Sequence, residues 1–323
     1  MSDAPETPAS RGALVTAFAI IYLVWGSTYL AMHVAVKSMP PFTMAAGRFL
    51  LAGLLLYAFM RLRGATAPTS RQWRDNAVSG TLLLLGGNGL VAWALHYLPS
   101  GVTALIIGIS PVFFVLIEWA WPGGKRPTLL TFFGLVLGFG GAAWLAAPWE
   151  HAKAGESLHP GALAALVLAS FLWPLGSIIA RHAKNPAPLF VASALQMICG
   201  GVALAVAAAM SGELAEWKLA AISARSGWAF VYLVIVGSLV GFSTFVWLMK
   251  HSTPTRVSTY AYVNPVVAVF LGWLLLDEEV KRRTILSAAV IVGGVILITW
   301  QKGRAAAAGL APEVVRGKEQ RDA

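Results

Sequence analysis

Apolar residues along this chain come in long blocks separated by short polar breaks. Blocks of about 17–25 residues have the length that carries a helix across a bilayer. Ten are present, at 13–36, 42–62, 77–95, 101–121, 128–147, 160–180, 189–210, 227–249, 256–276 and 284–301. The breaks concentrate Pro, Gly and charge, as in Met39-Pro40-Pro41, Leu98-Pro99-Ser100-Gly101, Pro122-Gly123-Gly124-Lys125-Arg126 and Asn185-Pro186-Ala187-Pro188. Punctuation at this spacing predicts tightly packed antiparallel helices. The first block is too long for the apolar core of a signal peptide and no small-x-small cleavage site follows it, so it is expected to stay as a span. Residues 302–323 mix Ala with both signs of charge and read as a solvated tail.

Composition narrows the class. Of 323 residues, 58% are apolar and only 12% are charged, with a mean hydropathy of +0.71. Soluble domains carry about a quarter of their residues as charges, so this chain cannot cover a water-facing surface. Soluble enzymes, disordered tails and disulfide scaffolds are excluded. The single cysteine, Cys199, forms no framework and reads as a small apolar filler. An all-α membrane protein remains.

The net charge of +10 is informative by position, because Lys and Arg orient membrane helices. With the N-terminus in the cytoplasm, inner segments hold 16 basic residues and outer segments 7, with Arg48 left inside a span. Both termini are therefore expected to be cytoplasmic. The Lys281-Arg282-Arg283 cluster is the exception, flanked by Asp277, Glu278 and Glu279.

The two halves resemble each other. Gly86, His96, Pro99 and Val102 recur 155 residues later as Gly241, His251, Pro254 and Val257. Pro111 and Trp119 recur at a shift of 154 as Pro265 and Trp273; Pro41 and Gly53 recur at 147 as Pro188 and Gly200; Trp25 recurs at 148 as Trp173. A unit of five spans is odd, so its duplicate enters the membrane from the other side. Two inverted five-helix bundles can close one face while opening the other, which an alternating-access transporter needs and a channel does not. The expected organisation is a cytoplasmic segment 1–12, a first repeat 13–147, a periplasmic connector 148–159, a second repeat 160–301 and a cytoplasmic tail 302–323. A scaffold or sensor built by neutral duplication is the bland alternative.

On these features the chain resembles the EamA-type transporters of the drug/metabolite transporter superfamily. The resemblance rests on ten spans in a five-plus-five repeat, Trp25-Gly26-Ser27 in the first span, Arg48-Phe49 in the second, and Pro111 and Pro265 in matching spans. It implies a multi-pass carrier of the bacterial inner membrane, often an exporter of amino acids or other small metabolites.

Such a carrier places its site near mid-bilayer between the halves. At a rise of 1.5 Å per residue, several polar or broken positions converge there: Trp25 and Ser27, Asn88, Trp173 beside Pro174, Gln196, and Tyr260, Tyr262 and Asn264. These are the candidate substrate-binding residues. Trp25 and Trp173 could equally be packing residues, and Asn88, among Gly86, Gly87 and Gly89, could serve only a close helix contact. Pro265 removes an amide donor and disturbs the carbonyl of Ala261; an acceptor freed between the Tyr260 and Tyr262 phenols would suit an amine, and a kink without a ligand is the alternative. Ser110-Pro111 carries the same argument with less polarity.

Arg48 is the basic residue well inside a span and Glu118 the acid, and intramembrane ions default to functional hypotheses. About 16 Å along the normal separates them, so they are not expected to pair. Glu118 reads as interfacial. Arg48 can snorkel outward, donate to carbonyls at a gate, or bind a substrate carboxylate. His96 and His251 fall on opposite faces and read as loop packing. No HExxH, GxSxG, Walker loop or paired intramembrane carboxylates occur, so an enzyme, a metal and a cofactor are not expected. A nucleic-acid partner is not expected either. A pocket of Trp, Tyr, Asn and Gln suits neutral, zwitterionic or aromatic solutes; a multidrug exporter of hydrophobic or cationic compounds is the runner-up.

Overall fold

Each of the ten apolar blocks carries helix in the computed structural model, which describes residues 9–98, 103, 106–124, 126–146, 159–184, 186–216, 218–276 and 282–308. The helices are α1 (Arg11–Ala35), α2 (Pro41–Leu62), α3 (Ser70–Ala94), α4 (Ser110–Ala120), α5 (Leu129–Ala146), α6 (Pro160–Arg181), α7 (Leu189–Met210), α8 (Ala224–His251), α9 (Tyr260–Leu276) and α10 (Arg282–Ala308). No strand occurs among the described residues. Six helices, α1, α2, α3, α6, α7 and α8, are long and apolar enough to cross a membrane; the apolar parts of α4, α5 and α10 are shorter. Length and composition therefore carry six crossings outright, and a count of ten depends on the shorter helices joining them.

Helix ends differ from the expected boundaries where polar capping extends them. α3 begins at Ser70 rather than 77 because Thr69 Oγ1 accepts from Gln72 N at 3.2 Å while Gln72 Oε1 accepts from Thr69 N at 3.0 Å. This reciprocal box satisfies two amides that the helix start leaves free. α8 begins at Ala224 under Ser223, whose hydroxyl accepts from Ser226 N at 3.2 Å. α10 runs on to Ala308, into the expected tail, as its closing alanines favour. The connector 148–158, the segments 1–8 and 309–323, and Pro99, Val102 and Lys281 lie outside the described residues.

Hydrogen bonds at the two ends of the bundle set the helix directions. At one end, Ser226 Oγ at the start of α8 donates to Val34 O at the end of α1, at 2.9 Å, and Glu213, just after α7, accepts from Phe42 N and Thr43 N at the start of α2, at 3.2 and 2.8 Å. At the other end, Arg181 closing α6 donates to Met249 O near the end of α8. α8 therefore links the end of α1 to one pole and the end of α6 to the other, so α1 and α6 run in opposite directions. This is the inversion that an odd repeat requires.

Packing between the halves is reciprocal. α2 packs on α7 and α5 on α10, while α1 packs on α8 and α9 as α6 packs on α3 and α4. Exchanging the halves maps α2–α7 and α5–α10 onto themselves and the α1 contacts onto those of α6. The matched tryptophans follow the same rule. A Cβ at Gly241 of α8 would lie 2.8 Å from Trp25 Nε1, and one at Gly87 of α3 would lie 2.6 Å from the Trp173 ring. Both supporting helices widen into π-helical turns here, Thr81–Gly89 and Leu233–Phe242. Such turns re-aim side chains and gather at functional sites.

Candidate functional site

Where the halves meet, a cavity of about 70 Å³ is lined by seven helices. Trp25, Thr28 and Tyr29 reach it from α1, Arg48 and Phe49 from α2, Asn88 from α3, Ser110 from α4, Trp173 from α6, and Gly237 and Phe242 from α8. Tyr260 and Asn264 complete it from α9. Trp25, Asn88, Trp173, Tyr260 and Asn264 are thus brought together from four helices and both halves, with Arg48 beside them. Close packing around Asn88 falls to its neighbours: a Cβ at Gly86 would meet Leu172 at 2.7 Å and one at Gly89 would meet Leu204 at 2.6 Å. Asn88 itself faces the cavity.

Arg48 does not snorkel. It is 3% exposed, its Nε donates to Ser238 Oγ at 2.7 Å, and its guanidinium lies 4.6 Å from the Phe49 ring centre. No ion pair joins Arg48 to a described carboxylate. Buried polar atoms are nearly always hydrogen-bonded to protein or water, yet four on this one cavity have no protein partner: Arg48 Nη1, Trp173 Nε1, Asn88 Oδ1 and Asn264 Oδ1. The Trp173 indole neighbours the Tyr260 hydroxyl, and the Asn264 amide neighbours that of Tyr29. Two donors and two acceptors are left for a guest.

Three candidates sit elsewhere. Ser27 Oγ donates to Val24 O at 2.7 Å and contacts the Tyr232 hydroxyl at 2.6 Å, so it joins α1 to α8 away from the cavity. Gln196 lines a separate recess and is taken up below. Tyr262 is 0% exposed and packs with Val115, Leu135 and Ile291, its hydroxyl 3.5 Å from Leu135 O. The two phenols do not flank one freed carbonyl, because positions i and i+2 of a helix point to different sides. Tyr262→Phe is accordingly expected to keep transport within about two-fold, since a contact at the outer limit of hydrogen bonding contributes little; a flux assay in vesicles checks this.

The proline breaks also divide. Pro111 stands at the start of α4, after a turn at Gly108–Ile109, and there interrupts the fourth block where a missing amide costs nothing. α6 stays continuous through Pro174, and the backbone of α9 is helical on both sides of Pro265. Glu118 accepts from Thr255 Oγ1 at 3.0 Å and its charge bears on Arg181, which places it with the polar groups at the end of the bundle. His96 packs on Tyr97, and His251 stacks on Trp247, at opposite poles.

Sequence reasoning missed Tyr29, Thr28, Ser238 and Phe245. Tyr29 had a signal, since it follows Trp25 at i+4 on the same face. Ser238, a lone hydroxyl in an apolar block, had a weaker one. Phe245 closes the cavity floor: its ring centre lies 5.0 Å from Trp25, 5.3 Å from Trp173 and 6.1 Å from Tyr260. Nothing in an apolar block marks one Phe for that task.

Residues 12–147 and 160–300 each match the EamA-like transporter family. The inner membrane transporter YedA of Escherichia coli (strain K12) is 35% identical over 284 residues, covering 87% of this chain and 89% of that protein. The transporter YoaV of Bacillus subtilis (strain 168) is 23% identical, covering 88% and 96%. Protein PecM of Dickeya dadantii (strain 3937) is 25% identical, covering 85% and 88%. A solved crystal structure with 21% identity superposes at a TM-score of 0.73 over 90% of this chain and 99% of its own, which supports the fold alone. Two matched repeats spanning most of the chain, on a bundle whose halves pack reciprocally, lead to one assignment: the chain belongs to the EamA-like transporter family.

Proposed function

We propose that this protein is an alternating-access carrier that moves small zwitterionic or neutral metabolites, amino acids first among them, through the cavity between its halves. Ten spans, both termini in the cytoplasm and a place in the bacterial inner membrane complete the reading. Charge bias supports the orientation, and the likeness to YedA supports the membrane. Outward transport follows the family resemblance.

One observation carries the substrate class. The guest must accept from Arg48 Nη1 and Trp173 Nε1 while donating to Asn88 Oδ1 and Asn264 Oδ1. A carboxylate with a nearby amino group does both. An inorganic anion satisfies only the donors, and a hydrophobic cation leaves Arg48 unopposed in a buried site, which disfavours the multidrug reading. At about 70 Å³ the cavity has room for about two waters, so the aromatic floor must move for an amino acid to enter.

Proteoliposomes of purified protein, loaded with one amino acid and assayed for counterflow across a panel, test this. Accumulation above empty vesicles is expected. Silence across the panel removes the reading in favour of a scaffold, and flux of drugs alone favours the multidrug exporter. Asn264→Ala is expected to cut counterflow about ten-fold, the worth of one lost buried hydrogen bond, with the folded yield kept. Full activity removes Asn264 from the site.

A further inference from the structure

Below the aromatic floor lies a second recess of about 270 Å³, at the end of the bundle that charge bias places in the cytoplasm. Its size sits at the lower edge of the ~300–1,000 Å³ range of ligand pockets, which fits a small metabolite better than a drug. Phe245 is in its wall, whereas Trp25, Trp173 and Tyr260 line only the cavity above. The cluster of edge-on and tilted rings thus separates two chambers along one route.

The recess has a polar wall from α3 and α7, made by Asn76, Ser79 and Gln196. Gln196 is 2% exposed, and its Nε2 donates to Ser79 Oγ at 3.3 Å. Ser79 sends its own proton to Asp75 O at 3.0 Å, so in this arrangement it accepts from Gln196. Gln196 Oε1 is then left buried with no donor. A buried acceptor without a partner costs stability that folding alone does not recover. Arg181 and Lys250 stand exposed at the rim, with Asp75 the acid among the lining residues.

We propose that this recess is a second binding site, a loading site for the same amino-acid-like solutes, which holds the solute's N–H donor at Gln196 Oε1 and its carboxylate toward the basic rim. The proposal rests on the substrate class assigned to the central cavity. It accounts for Gln196, which the sequence groups with the central residues but which packs lower, against Gly80 of α3, outside their cavity. The solute waits here until the rings of Phe245, Trp25 and Trp173 part.

The test uses the full chain in lipid nanodiscs, with the twenty radiolabelled proteinogenic amino acids as probes, and follows the best retained one to saturation. Binding of about two molecules per chain is expected, with Gln196→Leu weakening one site about ten-fold or more and Asn264→Ala weakening the other. Gln196→Glu keeps an acceptor oxygen in place and is expected to retain the lower site, which separates recognition from a packing defect. One molecule per chain, lost in Asn264→Ala and indifferent to Gln196→Leu, overturns the loading site and leaves the central site standing. Equal loss in the Leu and Glu variants assigns Gln196 to structure and also overturns it. No retention of any probe overturns both readings.

Discussion

Arg48→Gln is expected to reduce transport of carboxylate-bearing solutes about 10- to 100-fold, the equivalent of one charge-assisted hydrogen bond in a buried site. Amines without a carboxylate are expected to lose far less. The reason lies in the surroundings of the guanidinium, which keeps one bond to Ser238, stacks on Phe49 and meets no described carboxylate. An uncompensated buried cation is a cost to the fold. The Gln variant is therefore expected to melt no lower than the parent, even as it loses its carboxylate preference. Paired measurements decide the matter: counterflow for an amino acid and for its decarboxylated amine, and thermal unfolding followed by size exclusion. Equal loss for both solutes, or a clear drop in melting temperature, would make Arg48 a structural or gating residue.

The second large effect concerns the joint between α3 and α7. A Cβ at Gly80 would lie 2.5 Å from Gln196 O, and one at Gly200 would lie 2.5 Å from Gly80 O. Both obstacles are backbone, so no rotamer change relieves them. Small residues at such crossings let helices pack in a membrane without a hydrophobic driving force. Gly80→Val is expected to destabilise by about 3 kcal/mol or more and to cut the yield of folded protein severalfold. It should also displace Gln196. Gly80→Val with Gly200→Val should cost much less than the sum of the singles, because helices once forced apart no longer clash at the second site. Gly140→Ala is the control, with nothing within 4 Å of its added carbon; it should hold or gain stability, as Ala does over Gly in a helix. Equal damage from Gly140→Ala and Gly80→Val would show general fragility of glycine positions instead of a specific joint.

Much of this protein is legible along the chain because transfer of apolar side chains into lipid depends on composition and length, which need no neighbours. The helical blocks, the duplicated order of Gly, Pro and Trp, and the inversion that follows from an odd unit are all of this kind. Depth was legible too, since rise per residue is constant; Trp25, Asn88, Trp173, Tyr260 and Asn264 were placed together on that basis, and the structure gathers them. Helix starts were less so, because the cap at Thr69 acts through a polar pair outside the apolar block.

Depth is one coordinate of three. Rotation about each helix axis separates Tyr260 from Tyr262, two residues apart, into a cavity wall and an apolar contact. Height separates Gln196 from the central residues: it packs against Gly80 of α3, about 12 Å of helix rise from Asn88, and stands in the lower chamber. Which polar atoms remain without partners, and which Phe closes the floor, follow from the approach of α3, α6, α8 and α9 across the repeat boundary. The sequence alone therefore determines an inverted pair of apolar bundles with polar groups at mid-depth, since those follow from local transfer energy and helical rise. Only the tertiary structure decides which of those groups share a cavity, because side-chain direction and helix neighbours are set by packing between segments far apart in the chain.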